Sequence, residues 1–276
     1  MTKTFVSRPD PAPYPAGAPS VPSRISLSDD SLGGCEGQTA LFLGFRFDLC
    51  DRPGWRARLL QEAGTGFHYL VTPNVDHIVR LAREPAITSA YAQAAWRLCD
   101  SRILEKLARL RGMELMAYPG ADLVADLLAD PQARPLRIAA VGPDHADFAR
   151  LRARYPDLDL IHIEAPFMAQ GSPEWDATLA ATETCGADLY LLCLSFPKQE
   201  FFAADLGARG RARGVGLCVG ASLDFLTGHQ SRAPLWMRHA GLEWAHRLLS
   251  NPRRLWKRYL LDGPKIFALY LADRKS

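Results

Sequence analysis

The chain has 276 residues, 48% of them hydrophobic and 23% charged, with a formal net charge of +3. That balance is ordinary for a folded globular protein and too weakly basic to argue for a nucleic-acid partner. No stretch reaches the roughly 20 apolar residues of a membrane-crossing helix, and no apolar core follows the N-terminal charges as in a secretory signal.

Residues 1–36 are rich in Pro, Ser, Ala and Gly. They lack the apolar side chains that offset ordering entropy, which predicts a flexible arm. Strands and helices then alternate. Leu41-Phe42-Leu43-Gly44-Phe45 reads as a strand, Trp55 to Ala63 as a helix and Phe67 to Val71 as a strand. Helices are expected over Val75 to Ala82, Ala86 to Trp96, Ile103 to Arg111 and Gly120 to Leu128. Next come a strand (Leu136 to Val141), a helix (His145 to Arg154), a strand (Leu158 to Ile163) and a helix (Trp175 to Thr184). A strand (Leu189 to Leu194), a helix (Gln199 to Arg209) and a strand (Val215 to Val219) close the core. Apolar strand runs separated by helices predict an α/β fold, a Rossmann-like parallel sheet covered by helices on both faces. The core spans 37–250.

Residues 251–276 differ. Ser250-Asn251-Pro252 is a helix start with a capping side chain, and Gly263-Pro264 a stop. Leu255, Trp256, Tyr259 and Leu260 alternate with Arg253, Arg254, Lys257 and Arg258. From Glu243 onward eight Lys/Arg face three Asp/Glu. A basic, aromatic, amphipathic appendage of this kind suits an anionic membrane surface better than plain solvent, since each cation there contributes on the order of 1 kcal/mol.

Chemistry is expected where strands end, because open α/β sheets bind ligands there. Thr72 and Asn74 in Thr72-Pro73-Asn74 offer a hydroxyl and an amide beside a helix start, or else simply cap it. Asp100, in Cys99-Asp100-Ser101, reads by itself as the N-cap of the helix from Ile103. Gly142 in Gly142-Pro143-Asp144 admits a phosphate or makes a plain turn; it is no GxGxxG dinucleotide fingerprint. In Pro197-Lys198-Gln199-Glu200, proline and glutamate suit a helix start, while Gln199 has no evident structural duty. Asp224, after Gly220-Ala221-Ser222, suits ribose hydroxyls or a cap. Glu243 and Arg247, four apart on a helix, make an i,i+4 ion pair at the least.

No metal site is expected. Asp157-Leu158-Asp159 reads as an exposed turn, the histidines (His77, His145, His162 and His246 among them) read as structural, and no pattern matches HExxH or zinc spacing. The six cysteines form no CxxC pair, and Cys185, Cys193 and Cys218, in or beside apolar runs, read as buried thiols, which predicts a reducing compartment and no disulfide framework.

The motifs Ser195-Phe196-Pro197-Lys198-Gln199-Glu200, Gly220-Ala221-Ser222-Leu223-Asp224, Arg232-Ala233-Pro234 and Glu243-Trp244-Ala245-His246-Arg247 resemble, in order and spacing, the WecG/TagA/CpsF group, glycosyltransferase family 26. The resemblance covers about residues 40 to 260. It implies an inverting, metal-independent enzyme without cofactors. A sugar would pass from a UDP-sugar to a saccharide on polyprenyl (undecaprenyl) diphosphate, in exopolysaccharide, capsule or teichoic-acid-type synthesis. It implies Asp100 as general base with Thr72 beside it, and Asn74, Gly142, Gln199 and Asp224 around the donor. Arg232, Arg247, Arg254 and Arg258 would meet the leaving diphosphate or the membrane. The enzyme would sit peripherally on the cytoplasmic face of the membrane and self-associate. The family usually has glycine where this chain has Ser101. That departure keeps a non-catalytic nucleotide-binding subunit as an alternative; a Rossmann-like oxidoreductase is the other.

Overall fold

The structure is a computed structural model and describes residues 37–273; the N-terminal arm lies outside the described residues. It opens with a hairpin rather than the single strand expected. β1 (Thr39–Phe42) pairs antiparallel with β2 (Phe45–Asp48). The two turn residues, Leu43 at φ 55° and Gly44 at φ 75°, both adopt the left-handed region, as the tightest hairpin turns demand.

The main elements follow in chain order: α1 (Arg52–Glu62), β3 (His68–Val71), α2 (Val75–Leu81), α3 (Pro85–Gln93), β4 (Trp96–Arg97), α4 (Arg102–Arg109) and α5 (Gly120–Ala129). Then come β5 (Arg137–Val141), α6 (His145–Arg154), β6 (Asp159–Ile163), α7 (Pro173–Thr184), β7 (Leu189–Leu192), α8 (Lys198–Arg209), β8 (Val215–Cys218) and α9 (Ser222–Leu226). α10 (Leu235–Ala240), α11 (Glu243–Ser250), α12 (Pro252–Trp256), a π-helical turn (Lys257–Asp262) and α13 (Lys265–Asp273) complete it.

Six strands form one all-parallel sheet in the order β4-β3-β8-β7-β5-β6. Alternate residues serve opposite faces. Tyr69, Val71, Val141, Tyr190 and Leu192 pack with α2, α3, α7 and α8 on one side. Leu70, Ile138, Leu189, Leu191 and Leu217 pack with α1, α5, α6 and α9 on the other. Both faces are therefore apolar, which accounts for strand sequences with no polar alternation.

Three local expectations are corrected. The helix expected to run to Trp96 stops at Gln93, and Trp96–Arg97 becomes the edge strand β4. Arg97 fits there because its N–H donates to Asp48 Oδ2 at 2.8 Å and its guanidinium to the carbonyls of Tyr91 and Ala92. Asn251 precedes α12, but its side chain makes no capping hydrogen bond. Cys99, Cys185, Cys193 and Cys218 are free thiols as expected, whereas Cys50 is disulfide-bonded; pairing follows distance in space, which sequence spacing does not record.

Among the described residues no helix is long and apolar enough to cross a membrane. The C-terminal segment has two characters. α13 docks: Ile266 is 1% exposed within the core, Tyr270 meets the Phe42 ring edge-on at 6.4 Å, and Arg111 bonds both Asp273 and the Tyr270 carbonyl. Trp256, Leu260, Leu261, Phe267 and Leu271 remain exposed. Ile266→Ala is expected to cost about 2–4 kcal/mol in denaturant unfolding through the cavity it leaves, whereas Leu271→Ser stays within about 0.5 kcal/mol.

Candidate functional site

Parallel pairing in register brings the strand ends abreast. Val71 aligns with Arg97 and Cys218, and Leu192 with Cys218 and Val141. One edge of the sheet therefore carries Asp100 after β4, Thr72 and Asn74 after β3, Gly220 to Asp224 after β8, Ser195 to Pro197 after β7 and Gly142 after β5. Strand spacing makes the row from β4 to β5 about 19 Å long, enough for an extended ligand. Asp159 begins β6, so Asp157-Leu158-Asp159 lies at the opposite edge. Asp159 pairs there with Arg137 at 2.9 Å in solvent, as an exposed turn.

Asp100 is not a helix cap. Ser101 caps α4, its Oγ accepting from the Leu104 N–H at 3.3 Å. Ser101 has φ −149°, extended backbone that any residue adopts, so glycine is not needed. Asp100 is half-buried, its N–H donating to the Pro73 carbonyl at 3.0 Å and its Oδ1 accepting the Gly120 N–H at 3.1 Å. Loss of solvent pushes its carboxyl up to about 7, and nearby Glu243 and Asp122 add to this; the Gly120 N–H and Arg247 oppose it.

Thr72 is buried beside it and donates to the Cys218 carbonyl at 2.8 Å, tying β3 to β8. Its proton is thereby committed, and its oxygen lone pairs remain for a ligand hydroxyl. A Cβ on Gly120 would meet Ser222 Oγ at 3.3 Å and Thr72 Cγ2 at 3.7 Å. Glycine thus brings the start of α5 against these two hydroxyls. Asn74 does cap α2, with Oδ1 accepting from Asp76 and His77 N–H at 3.1 and 3.3 Å.

Gln199 has the structural duty that its sequence context did not show. It is 2% exposed. Its Oε1 accepts the Gly220 N–H at 2.7 Å, and its Nε2 donates to Glu200 Oε1 at 2.9 Å. Glu200 does not cap its helix; it is fully buried, receives the Tyr91 hydroxyl at 3.4 Å, and keeps Oε2 unpartnered. Burial pushes its carboxyl up to about 7. The Tyr91 hydroxyl also meets His77 Nδ1 at 2.8 Å, and His77 stacks flat on Phe196 with ring centroids 3.8 Å apart. Burial holds the His77 imidazole well below its usual pKa, so it is neutral. This chain of bonds fixes the β7 and β8 loops relative to each other.

At the β5 end, Gly142 sits at φ +105°, where a Cβ would fall 2.9 Å from Leu194 Cδ2 and 3.2 Å from the Cys193 carbonyl oxygen. Asp224 accepts from Gln230 Nε2 at 2.6 Å, and burial raises its pKa. Asp144, Asp147 and His229 bring one ligand atom each within 4.8 Å of one another, a grouping the sequence reading missed. Its carboxylates are already engaged: Asp144 caps α6, and Asp147 takes Arg150 at 2.7 Å and His229 at 2.9 Å.

Of the four arginines, Arg232 and Arg247 meet over the Phe225 ring, 5.7 and 5.4 Å from its centre, and the other two lie elsewhere. Arg232 donates to Asp122 at 2.6 Å. Arg247 makes no ion pair with Glu243 among the described residues; its guanidinium lies 5.4 Å from the Phe225 ring centre, where it acts on both Asp100 and Asp224. Arg258 pairs with Asp76 at 3.2 Å, anchoring the tail to the first turn of α2. Arg254 is exposed on α12 and is not brought to the edge by any contact among the described residues. Sequence reading also missed Gly120, Asp122 and Ser222, for which Tyr118-Pro119-Gly120 was the one local turn signal. Replacing Gln199 by Ala is expected to lower stability by about 1–3 kcal/mol, the cost of orphaning the Gly220 N–H and the Glu200 carboxyl, as read by denaturant midpoint.

The Glycosyl transferase WecG/TagA/CpsF family model matches residues 40–276. The match takes in every strand of the main sheet, each motif at its carboxyl edge and the C-terminal helices. The chain is therefore a member of the WecG/TagA/CpsF glycosyltransferase family, enzymes of cell-wall polysaccharide biosynthesis that join a nucleotide-sugar donor to a lipid-linked acceptor.

Proposed function

We propose that this enzyme transfers a sugar from a UDP-sugar to a saccharide on polyprenyl (undecaprenyl) diphosphate, in one inverting step, without a metal or cofactor. The product serves an exopolysaccharide, capsule or teichoic-acid-type glycan. The observation that carries the reading is Asp100, a half-buried carboxylate raised to about 7 at the sheet edge beside Thr72. A base with that pKa is half ionised near neutrality and matched to removing a hydroxyl proton.

The acceptor hydroxyl gives its proton to Asp100 as its oxygen bonds the anomeric carbon. The bond from that carbon to the UDP oxygen breaks on the opposite side, and UDP takes the electron pair. A single displacement inverts the configuration. Thr72, Asn74 and Asp224 hold the donor; Gln199 acts from behind by fixing the Gly220 turn, and Gly142 lets the β7 loop at Cys193 and Leu194 close against the β5 turn on the donor side. Arg247, placed to act on both Asp100 and Asp224, stabilises the charge developing on UDP. Ser101, a conventional helix cap here, no longer favours the non-catalytic alternative.

The exposed Trp256, Leu260, Leu261, Phe267 and Leu271, with Arg253, Arg254 and Lys257 exposed beside them, support peripheral docking on the anionic cytoplasmic face of the membrane. Removing residues 251–276 would also remove Ile266 from the core, so point substitutions are the cleaner test. Trp256→Ser with Leu260→Ser is expected to weaken co-flotation with vesicles containing phosphatidylglycerol while leaving UDP binding intact. Unchanged flotation would overturn the docking.

UDP release from a panel of UDP-sugars, with a short-chain polyprenyl-diphosphate sugar and EDTA, tests the reaction. Release should need the acceptor, survive EDTA, rise with pH through about 7, and fall about 10²–10⁴-fold in Asp100→Asn. Equal release by both proteins would remove Asp100 as base. A raised carboxyl pKa means that Asp100 is tolerated below its unfolded value near 4 and becomes a destabilising charge as pH rises through about 7. Asp100→Asn is therefore expected to melt higher than wild type at pH 8 and level with it at pH 4.

A further inference from the structure

The transfer proposed above brings two diphosphates to one sheet edge. One leaves with the donor; the other links the acceptor sugar to its lipid. Resting on that reading, we infer that Arg52, Arg232 and Arg238, gathered on Asp122, form the anion site for the acceptor's diphosphate, with Arg232 meeting the donor-side Arg247 across the Phe225 ring, 5.7 and 5.4 Å from its centre.

Asp122 is buried in the first turn of α5. It receives Arg232 Nη1 at 2.6 Å and Arg238 Nη2 at 2.8 Å on one oxygen, and Arg52 Nη2 at 3.5 Å on the other. The three cations come from α1, from the loop after α9 and from α10. With Arg247 and the neighbouring Asp100 and Glu243 carboxylates counted in, four guanidiniums face three carboxylates, which leaves one positive charge in excess. A structural ion pair balances one charge with one, and uncompensated charge away from water is costly. The excess marks a site completed by an anion. Arg232 supplies a second sign, because its Nε and Nη2 are buried and have no hydrogen-bond partner. A guanidinium fork presents paired donors that match phosphate oxygens. Arg52, lying over the Tyr118 ring at 4.6 Å, is held in place by that face. The partial positive charge at the N-terminus of α5 adds to the field.

Position selects the acceptor. Gly120, two residues before Asp122, is the residue whose N–H binds Asp100. The base that deprotonates the acceptor and the cationic cluster therefore share one helix turn. The donor side, built on Gly142 and Asp224, follows β5 and β8, whereas Asp100 follows the edge strand β4.

Calorimetric binding of geranyl diphosphate and, separately, of UDP tests this without turnover. Arg238→Gln and Arg52→Gln should each weaken geranyl diphosphate about 10–100-fold and leave UDP within twofold, with Arg238→Lys intermediate. Asp122→Asn should instead tighten geranyl diphosphate, since it frees the guanidiniums, a gain that a purely structural clasp does not produce. Parallel loss of UDP binding would assign the cluster to the donor, and no change in either ligand would reduce it to a structural clasp; both outcomes overturn the inference. If wild type binds geranyl diphosphate but no UDP, the proposed transferase reading fails while the anion site stands.

Discussion

The position of β8 between β3 and β7 is the constraint from which the rest of the site follows. Val215–Cys218 is buried on both faces and paired in parallel on both sides. No side chain of that strand is free for chemistry, so function is displaced to its carboxyl end. There the chain must turn within a few residues against two neighbouring loops. Thr72 bonds the last carbonyl of β8 from one side, and Gln199 bonds the Gly220 N–H from the other. A buried backbone donor or acceptor left alone is costly, so these side chains fix the turn before any ligand arrives.

The carboxyls of Asp100 and Glu200 show how one physical cause gives two outcomes. Burial raises both to about 7. Asp100 is only half-buried and borders the edge, where a proton can be exchanged with a ligand. Glu200 is sealed among Tyr91, Gln199 and the core, so its raised pKa favours a neutral carboxyl compatible with an apolar interior. The first residue is costly to stability in its working, ionised form; the second avoids the cost by holding its proton.

Much of the fold was readable because its signal is local. The strands β3, β5, β7 and β8 are apolar runs ended by Pro or Gly, and motifs at their tips sit where parallel sheets place ligands. β4 was hidden because it is two residues long and includes an arginine, whose compensation comes from Asp48, 49 residues away. Leu43 in a left-handed turn gave no warning, since leucine is not a turn residue by composition. Gln199 could not be placed because its partner Gly220 is 21 residues on. Two of the three arginines on Asp122 lie 110 and 116 residues beyond it, and the third, Arg52, far before it. Such pairs have no spacing rule; only the fold joins them.

The docking of α13 bears on how the protein is made. Its Ile266 fills the core, and Tyr270 meets Phe42 of the opening hairpin, so the first and last described elements close on one another. Contacts of such sequence separation form late, after the intervening loop entropy has been lost. During synthesis at about 5–20 residues per second, the sheet can assemble while that face of the core is still uncovered. Until residue 270 leaves the ribosome the nascent domain exposes an apolar seam, which makes this interval the one in which a chaperone would find most to hold.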